Sequence, residues 1–274
     1  MKSKRSEASA ALAAPEEKTE FSLIPPATLV TLYANLLKSR MLQERLGRTG
    51  TDARRDEGWA AVKAAVAAVL MDLHAEDVVT AEEEIPLARL LRGEKAAAVV
   101  RGREAARGVA GNLLLHAVGS ALANRTKKNG RVSVVFWRDA SETLWQDALE
   151  MAREHTLPLI MVCPAGEGTK DARDKRLAPG TELPRIAVDG YDAVAVYRVA
   201  HEAIDRARRN RGATLIECAS FRVKGQRGRH GDAVVNMERY LKGKGMLRRG
   251  LRTEIEDEFA QELRGGLTKK RVKT

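Results

Sequence analysis

From Arg131 to Cys163 the chain reads RVSVVFWRDASETLWQDALEMAREHTLPLIMVC, and this run fixes the class of structure. Val132, Val134, Val135, Phe136 and Trp137 are β-branched or aromatic almost without a break, the mark of a strand buried on both faces. After Asp139, apolar residues return at helical spacing from Ser141 to His155 (Leu144, Ala148, Leu149, Met151, Ala152), and Leu157-Pro158 stops them. Leu159 to Cys163 is a second buried strand. A strand–helix–strand unit of this kind places its two strands parallel, joined by a right-handed crossover. Ligands of such sheets bind beyond the carboxyl ends of the strands. Asp139 and the turn after Cys163 stand at those ends, so chemistry is expected there.

Working outward, helical and strand-like segments alternate. Pro25-Pro26 precedes a helix over Ala27 to Leu46, with Leu29, Leu32, Tyr33, Leu36, Leu37 and Met41 on one stripe. Trp59 to Leu73 reads as an alanine-rich helix, Asp77 to Val79 as a short extended piece, and Ile85 to Leu91 as a brief helix. Gly93 to Gly102 is weakly specified and reads as a connection; Ala105 to Ala123 reads as a long apolar helix. Beyond the central unit, Gly166 to Glu182 has no period and reads as a loop, and Ile186 to Val188 is a strand ending in the turn signal Asp189-Gly190. A helix follows from Asp192 to about Asn210, then a buried strand over Ala213 to Ser220, a basic loop over 222–232, and helices over Val234 to Lys242 and Thr253 to Arg264. The pattern predicts an α/β fold, a mainly parallel sheet flanked by helices on both faces. Residues 1–24 are expected to form a flexible arm, 25–265 one domain and 266–274 a basic tail.

Composition narrows the classes. At 274 residues the chain can bury a large core. Cys163 and Cys218 give no disulfide framework and no metal-ligand spacing, and two reduced, buried thiols are the expectation. No apolar run approaches the roughly 18 residues a membrane span needs. The start MKSKR lacks the apolar stretch of a secretory signal, and Glu7, Glu16, Glu17 and Glu20 argue against a transit peptide, so a cytoplasmic location is expected. The net charge of +11 gathers in the two termini, in Arg206, Arg208, Arg209 and Arg211, and in Arg222, Lys224, Arg227 and Arg229. Aromatics are only 4% and no nucleic-acid motif occurs, so nucleic acid is not the expected partner.

Several segments, in order, resemble one family: the alpha subunit of the thiamine-diphosphate-dependent decarboxylating component of 2-oxo acid dehydrogenases (pyruvate, branched-chain and acetoin types). LYANLLKSRMLQER resembles that family's opening helix, and EGWAAVKAAVAAVLMDLHAEDVV its Gly-Gln-Glu-Ala helix and the Asp-containing turn after it. LARLLRG, AVGSALA and VVFWRDA follow, the last where the family has Gly-Asp-Gly. DALEMAREHTLPLIMVC matches Glu-Ala-Leu-Asn-x-Ala, Leu-Pro and a strand. The strongest match is LPRIAVDGYDAVAVYRVAHEAIDRARRNRGATLIECASFR, against Val-Asp-Gly-x-Asp, Ala-Val-Tyr, a helix, Pro-Thr-Leu-Ile-Glu and Tyr-Arg; MERYLKGKGML resembles the C-terminal helix.

The resemblance implies a thiamine-diphosphate-binding fold, oxidative decarboxylation of a 2-oxo acid, and a beta-type partner subunit in a homo- or hetero-oligomer. It also implies thiamine diphosphate held through magnesium, with Asp139 as a metal ligand and Ala140 and Gly166 beside the cofactor. Magnesium asks for near-octahedral oxygen ligands. Here the sequence departs from the pattern. Asp139 is flanked by Arg138 and Ala140 in place of two glycines that let the backbone approach a diphosphate. The second metal ligand falls at Ala165 or Gly166, and the family's diphosphate-gripping Tyr-Arg falls near Glu83-Glu84, whose charge repels an anion. The family's Gly-His-Ser reads Gly225-Gln226-Arg227, and its glycine-rich stretch with histidine between Gly93 and Ala117 is missing. A degraded cofactor site is therefore expected, with a pseudoenzyme acting as a partner-binding subunit, or a basic polyanion-binding protein, as alternative readings. No catalytic residue can be assigned.

Individual residues keep a structural reading alongside. Asp139-Ala140-Ser141-Glu142 is a capping-box pattern, which by itself accounts for an aspartate there. His230 reads as a solvated loop residue, His116 and His155 as residues at helical positions, and Trp59, Trp137 and Trp145 as core or interface anchors. Asp189 and Gly190 read as a turn.

Overall fold

The computed structural model describes residues 24–46, 57–81, 85–101, 113–137, 142–165, 183–219 and 231–265. The strands among them are β1 (Val78–Thr80), β2 (Ser133–Phe136), β3 (Leu159–Pro164), β4 (Arg185–Asp189) and β5 (Thr214–Ala219). They form one sheet in the order β1-β2-β3-β5-β4, with every neighbouring pair parallel. The helices are α1 (Pro26–Leu46), α2 (Glu57–Val69, continued by a 3-10 turn at Leu70–Asp72), α3 (Ile85–Leu91), α4 (Ala96–Arg101), α5 (Leu113–Lys127), α6 (Glu142–Glu154), α7 (Ala193–Arg208), α8 (Ala233–Gly243) and α9 (Leu251–Gly265).

The central unit folds as its pattern predicts. Every residue of β2 is buried, as is β3 up to Cys163, which is why both are continuous apolar runs rather than alternating ones. Successive side chains of the sheet point to opposite faces. Val134, Phe136, Ile160, Val162, Ile216 and Cys218 join a core under α1, α2, α7, α8 and α9. Val135, Trp137, Leu159, Met161 and Leu215 join a second core under α5 and α6, where the indoles of Trp137 and Trp145 stack with centroids 4.7 Å apart. Helices thus flank both faces, as expected.

Three expectations need correction. The weakly specified connection over Gly93 to Gly102 contains a helix, α4, whose Ala96 and Val99 are buried against the first core and which packs on α9. A helix of barely two turns is too short to announce itself by period and is stabilised by its packing. The helix expected to end at Ala123 runs on to Lys127 and closes through Lys128, a left-handed residue with φ 49°. His155 is not helical; it sits in the exposed turn after α6, its N–H donating to Met151 O at 3.1 Å.

Two residues fix how layers meet. Asp77, 2% exposed just before β1, accepts from Val132 N at 2.9 Å and His74 N at 2.7 Å, and both terminal nitrogens of Arg208 at the end of α7 grip it. Gly190, after β4, lies so close to α2 that a Cβ there would stand 2.3 Å from Ala61 O. Asp192 and Asp232 cap α7 and α8, each accepting from two backbone N–H groups of the first turn.

Candidate functional site

The winding of the sheet marks where a ligand of such a fold would sit. Helices α5 and α6, leading into β2 and β3, cover one face; α7, leading from β4 into β5, covers the other. The direction of winding therefore reverses between β3 and β5. In open parallel sheets that reversal opens a crevice at the carboxyl ends, the ordinary place for a ligand. Ala165 N–H donates to Cys218 O at 2.7 Å and Trp137 N–H to Val162 O at 3.1 Å, so the ends of β2, β3 and β5 form a continuous rim.

Asp139, Ala140 and Gly166 lie outside the described residues, as do His230 and the positions of the departures at 83–84 and 225–227. What is described of the rim at the ends of β2, β3 and β5 has no carboxylate. Trp137, Pro164, Ala165 and Ala219 carry no side-chain oxygen. Asp189 is the rim's carboxylate among the described residues, but it stands on the edge strand β4, about 14 Å from β2 at roughly 4.8 Å per strand. Its Oδ1 already accepts the Tyr191 N–H at 3.0 Å, and burial holds its carboxyl above the usual range against the pull of that bond. Among the described residues no three His, Cys, Asp or Glu side chains come together as a metal-binding group. These residues alone do not fit magnesium, which wants several converging oxygens. The turn reading of Asp189 and Gly190 agrees with the Tyr191 hydrogen bond and the close approach to Ala61.

The structure adds a pair that sequence reading missed. Glu217, 5% exposed within β5, receives two bonds from Arg185 on β4, Nε to Oε2 at 2.7 Å and Nη2 to Oε1 at 3.2 Å. Glu217 is in register with Cys163, one residue pair below the rim on the α5–α6 face. The available signal was a lone carboxylate inside the buried run ATLIECAS, which must find a cation to remain charged. Both cysteines are buried and neither is in a disulfide, and burial raises the Cys218 thiol to about 12, so it is not a nucleophile.

Helix α2 places its alanines inside the chain: Ala61, Ala65, Ala67 and Ala68 are 0–1% exposed, so that face is not available to a second subunit. Helix α5 is different. Its outward face carries a shallow hollow lined by Leu115, His116, Gly119, Ser120 and Ala123, uncharged over two turns, with Leu115 50% exposed.

The model of the dehydrogenase E1 component family matches residues 89–232, the span holding β2, β3, β4 and β5. The chain belongs to that family, whose members are thiamine-diphosphate enzymes. It is 35% identical over 137 residues to the alpha subunit of acetoin:2,6-dichlorophenolindophenol oxidoreductase of Bacillus subtilis, covering 46% of this chain and 41% of that subunit. It is 32% identical over 178 residues to the 2-oxoisovalerate dehydrogenase alpha subunit of the same organism, covering 54% of this chain and 52% of that subunit. With the 3-methyl-2-oxobutanoate dehydrogenase alpha subunit of Mycobacterium tuberculosis it shares 35% identity over 124 residues, 41% of this chain and 34% of that one. The matched parts span from 34% to 52% of these relatives' length. A crystal structure of a transketolase mutant from Pichia stipitis overlays with a TM-score of 0.47 at 13% identity, covering 88% of this chain and 45% of that one.

Proposed function

We propose that this chain is an alpha-type subunit of a 2-oxo acid dehydrogenase E1 component, taking part with a beta-type subunit in oxidative decarboxylation of a 2-oxo acid. The observation that carries this reading is the E1 match over residues 89–232, which contains both sides of the crevice at the winding reversal. Asp139, three residues beyond the end of β2, is the side chain by which the crevice would hold a cation. Ala165 or Gly166 stands at the second ligand position and neither carries a side-chain oxygen, so the cation-holding half of the site is altered from the family pattern.

Residues 25–265 act as one domain, with 1–24 as an arm and 266–274 as a tail. The uncharged face of α5 is the surface for the beta-type subunit. Two buried thiols, and no helix among the described residues long and apolar enough to cross a membrane, support a cytoplasmic location.

The test is calorimetric titration of thiamine diphosphate with magnesium into the chain co-purified with a beta-type subunit. Dye reduction is followed in parallel with pyruvate, 2-oxoisovalerate and acetoin. Binding and turnover are expected, both falling by about two orders of magnitude or more in Asp139→Ala, since one lost charged ligand costs several kcal/mol. No binding at millimolar cofactor ends the catalytic reading. A complex that forms without binding cofactor fits instead a subunit kept for its partner contacts.

A further inference from the structure

The amino-terminal edge of the sheet, opposite the crevice, carries a concentrated positive charge that the E1 reading does not use. Three turns lie side by side there. Ser133 N–H donates to Pro158 O at 2.9 Å, joining the turns that lead into β2 and β3. A Cβ on Gly212 would stand 3.4 Å from Thr156 Cγ2, which sets the turn into β5 against the turn into β3. Arg208 Nη1 donates to Gly130 O at 3.3 Å, tying the end of α7 to the turn after α5.

This floor carries Arg125, Lys127, Lys128, Arg131, Arg209 and Arg211, all but the first exposed. The carboxylates nearby are engaged: Asp77 with Arg208, Asp205 with Arg209 at 2.9 Å, Glu154 with Arg153 at 3.8 Å. Glu76, before β1, is the exposed exception. The helix macrodipole accounts for Arg125 and Lys127 in the last turn of α5, but its effect fades within that turn. Lys128, Arg131 and Arg211 lie beyond the helices, so their like charges repel with no dipole to offset them.

We infer that this edge docks an acidic, extended segment of another protein. From β2 to β5 it spans two strand spacings, about 10 Å, and an extended peptide presents same-side carboxylates about 7 Å apart. A protein segment is favoured over nucleic acid because residues 128–132, 155–158 and 209–213 contain no Phe, Tyr or Trp on which a base could stack. The crevice lies at the far ends of the same strands, so docking leaves it open.

The test uses the full chain, a fluorescent 20-residue polyglutamate peptide, and a single-stranded RNA of 20 nucleotides. At low salt the peptide is expected to bind, weakening at least tenfold between about 50 and 300 mM salt as screening shortens the reach of exposed charges. The variant Lys127→Glu, Lys128→Glu, Arg131→Glu, Arg211→Glu should weaken peptide binding at least tenfold. Arg198→Glu, Arg239→Glu, Lys242→Glu, Arg249→Glu, the same charge change on other surfaces, should weaken it less than threefold. If the first variant fails to fold by circular dichroism, glutamine at the same four positions serves in its place. Equal loss in both variants, absence of peptide binding at 50 mM salt, or RNA binding tighter than peptide with the same dependence on this edge would each overturn the inference.

Discussion

Asp232 serves two partners at once. Its Oδ1 caps α8 by accepting from Val234 N at 2.9 Å and Val235 N at 3.1 Å, and it pairs with Arg40 on α1. Burial pushes its carboxyl up, but the backbone donors and the guanidinium outweigh that and hold it below the usual carboxylate range. A carboxyl lowered in the folded state adds stability that is full above the unfolded value, about pH 4, and is lost as pH falls through the folded one. An asparagine in its place would keep an oxygen for the cap and lose the charge. We expect Asp232→Asn to cost about 0.5–1 kcal/mol at neutral pH, the scale of a partly exposed pair, and nothing once the wild-type carboxyl is protonated. Urea unfolding across pH checks this, and a cost that does not change with pH would contradict it. Asp77 is the heavier case, because its carboxylate is fully buried. Asp77→Ala removes the carboxylate partner of Arg208 and strands the Val132 and His74 N–H groups, so a loss of about 3 kcal/mol is expected in the same measurement. A loss under about 1 kcal/mol would mean that water replaces the carboxylate.

At the scale of elements, the contact between α2 and the turn after β4 sets the spacing of the helical layer over the sheet. With Ala61 O 2.3 Å from a Cβ on Gly190, and Ala61 Cβ at 2.9 Å, a methyl group forces backbone against backbone. Gly190→Ala should lower stability by about 1–3 kcal/mol, the usual cost of overpacking, read as a shift in the denaturation midpoint. An unchanged midpoint would show that α2 can slide. Read from sequence, Asp189-Gly190 is a turn signal and nothing more; the requirement for glycine comes from a helix far earlier in the chain. The same holds for α4, whose short AAAVV run is neutral by itself and becomes a helix through its packing on α9. The opposite holds for β2, α6 and β3, where composition, period and the Leu-Pro stop all agree, and their boundaries were legible to within a residue or two.

For the whole molecule, the contrast between α2 and α5 matters most. Both are small-residue helices in sequence, yet α2 is consumed by internal packing while α5 keeps an uncharged face outside. A Cβ at Gly119 meets nothing within 4 Å. Gly119→Arg should therefore fold normally, gaining up to about 1 kcal/mol from better helix propensity. It should also abolish co-elution with a beta-type subunit on gel filtration. Retained co-elution would move the proposed interface off α5.

Sequence alone determined the alternation of buried strands and helices, the parallel sense of the sheet and the family, because these depend on local period and on motifs in order. It also singled out Asp139 by its place after β2. Only the tertiary structure decided the strand order β1-β2-β3-β5-β4, and with it the winding reversal between β3 and β5, the burial of Asp77 and Glu217 against Arg208 and Arg185, and the gathering of two basic turns on one edge. The physical reason is distance along the chain. Pairing between residues tens of positions apart depends on loop closure and on which faces remain to be buried, and no local window contains that information.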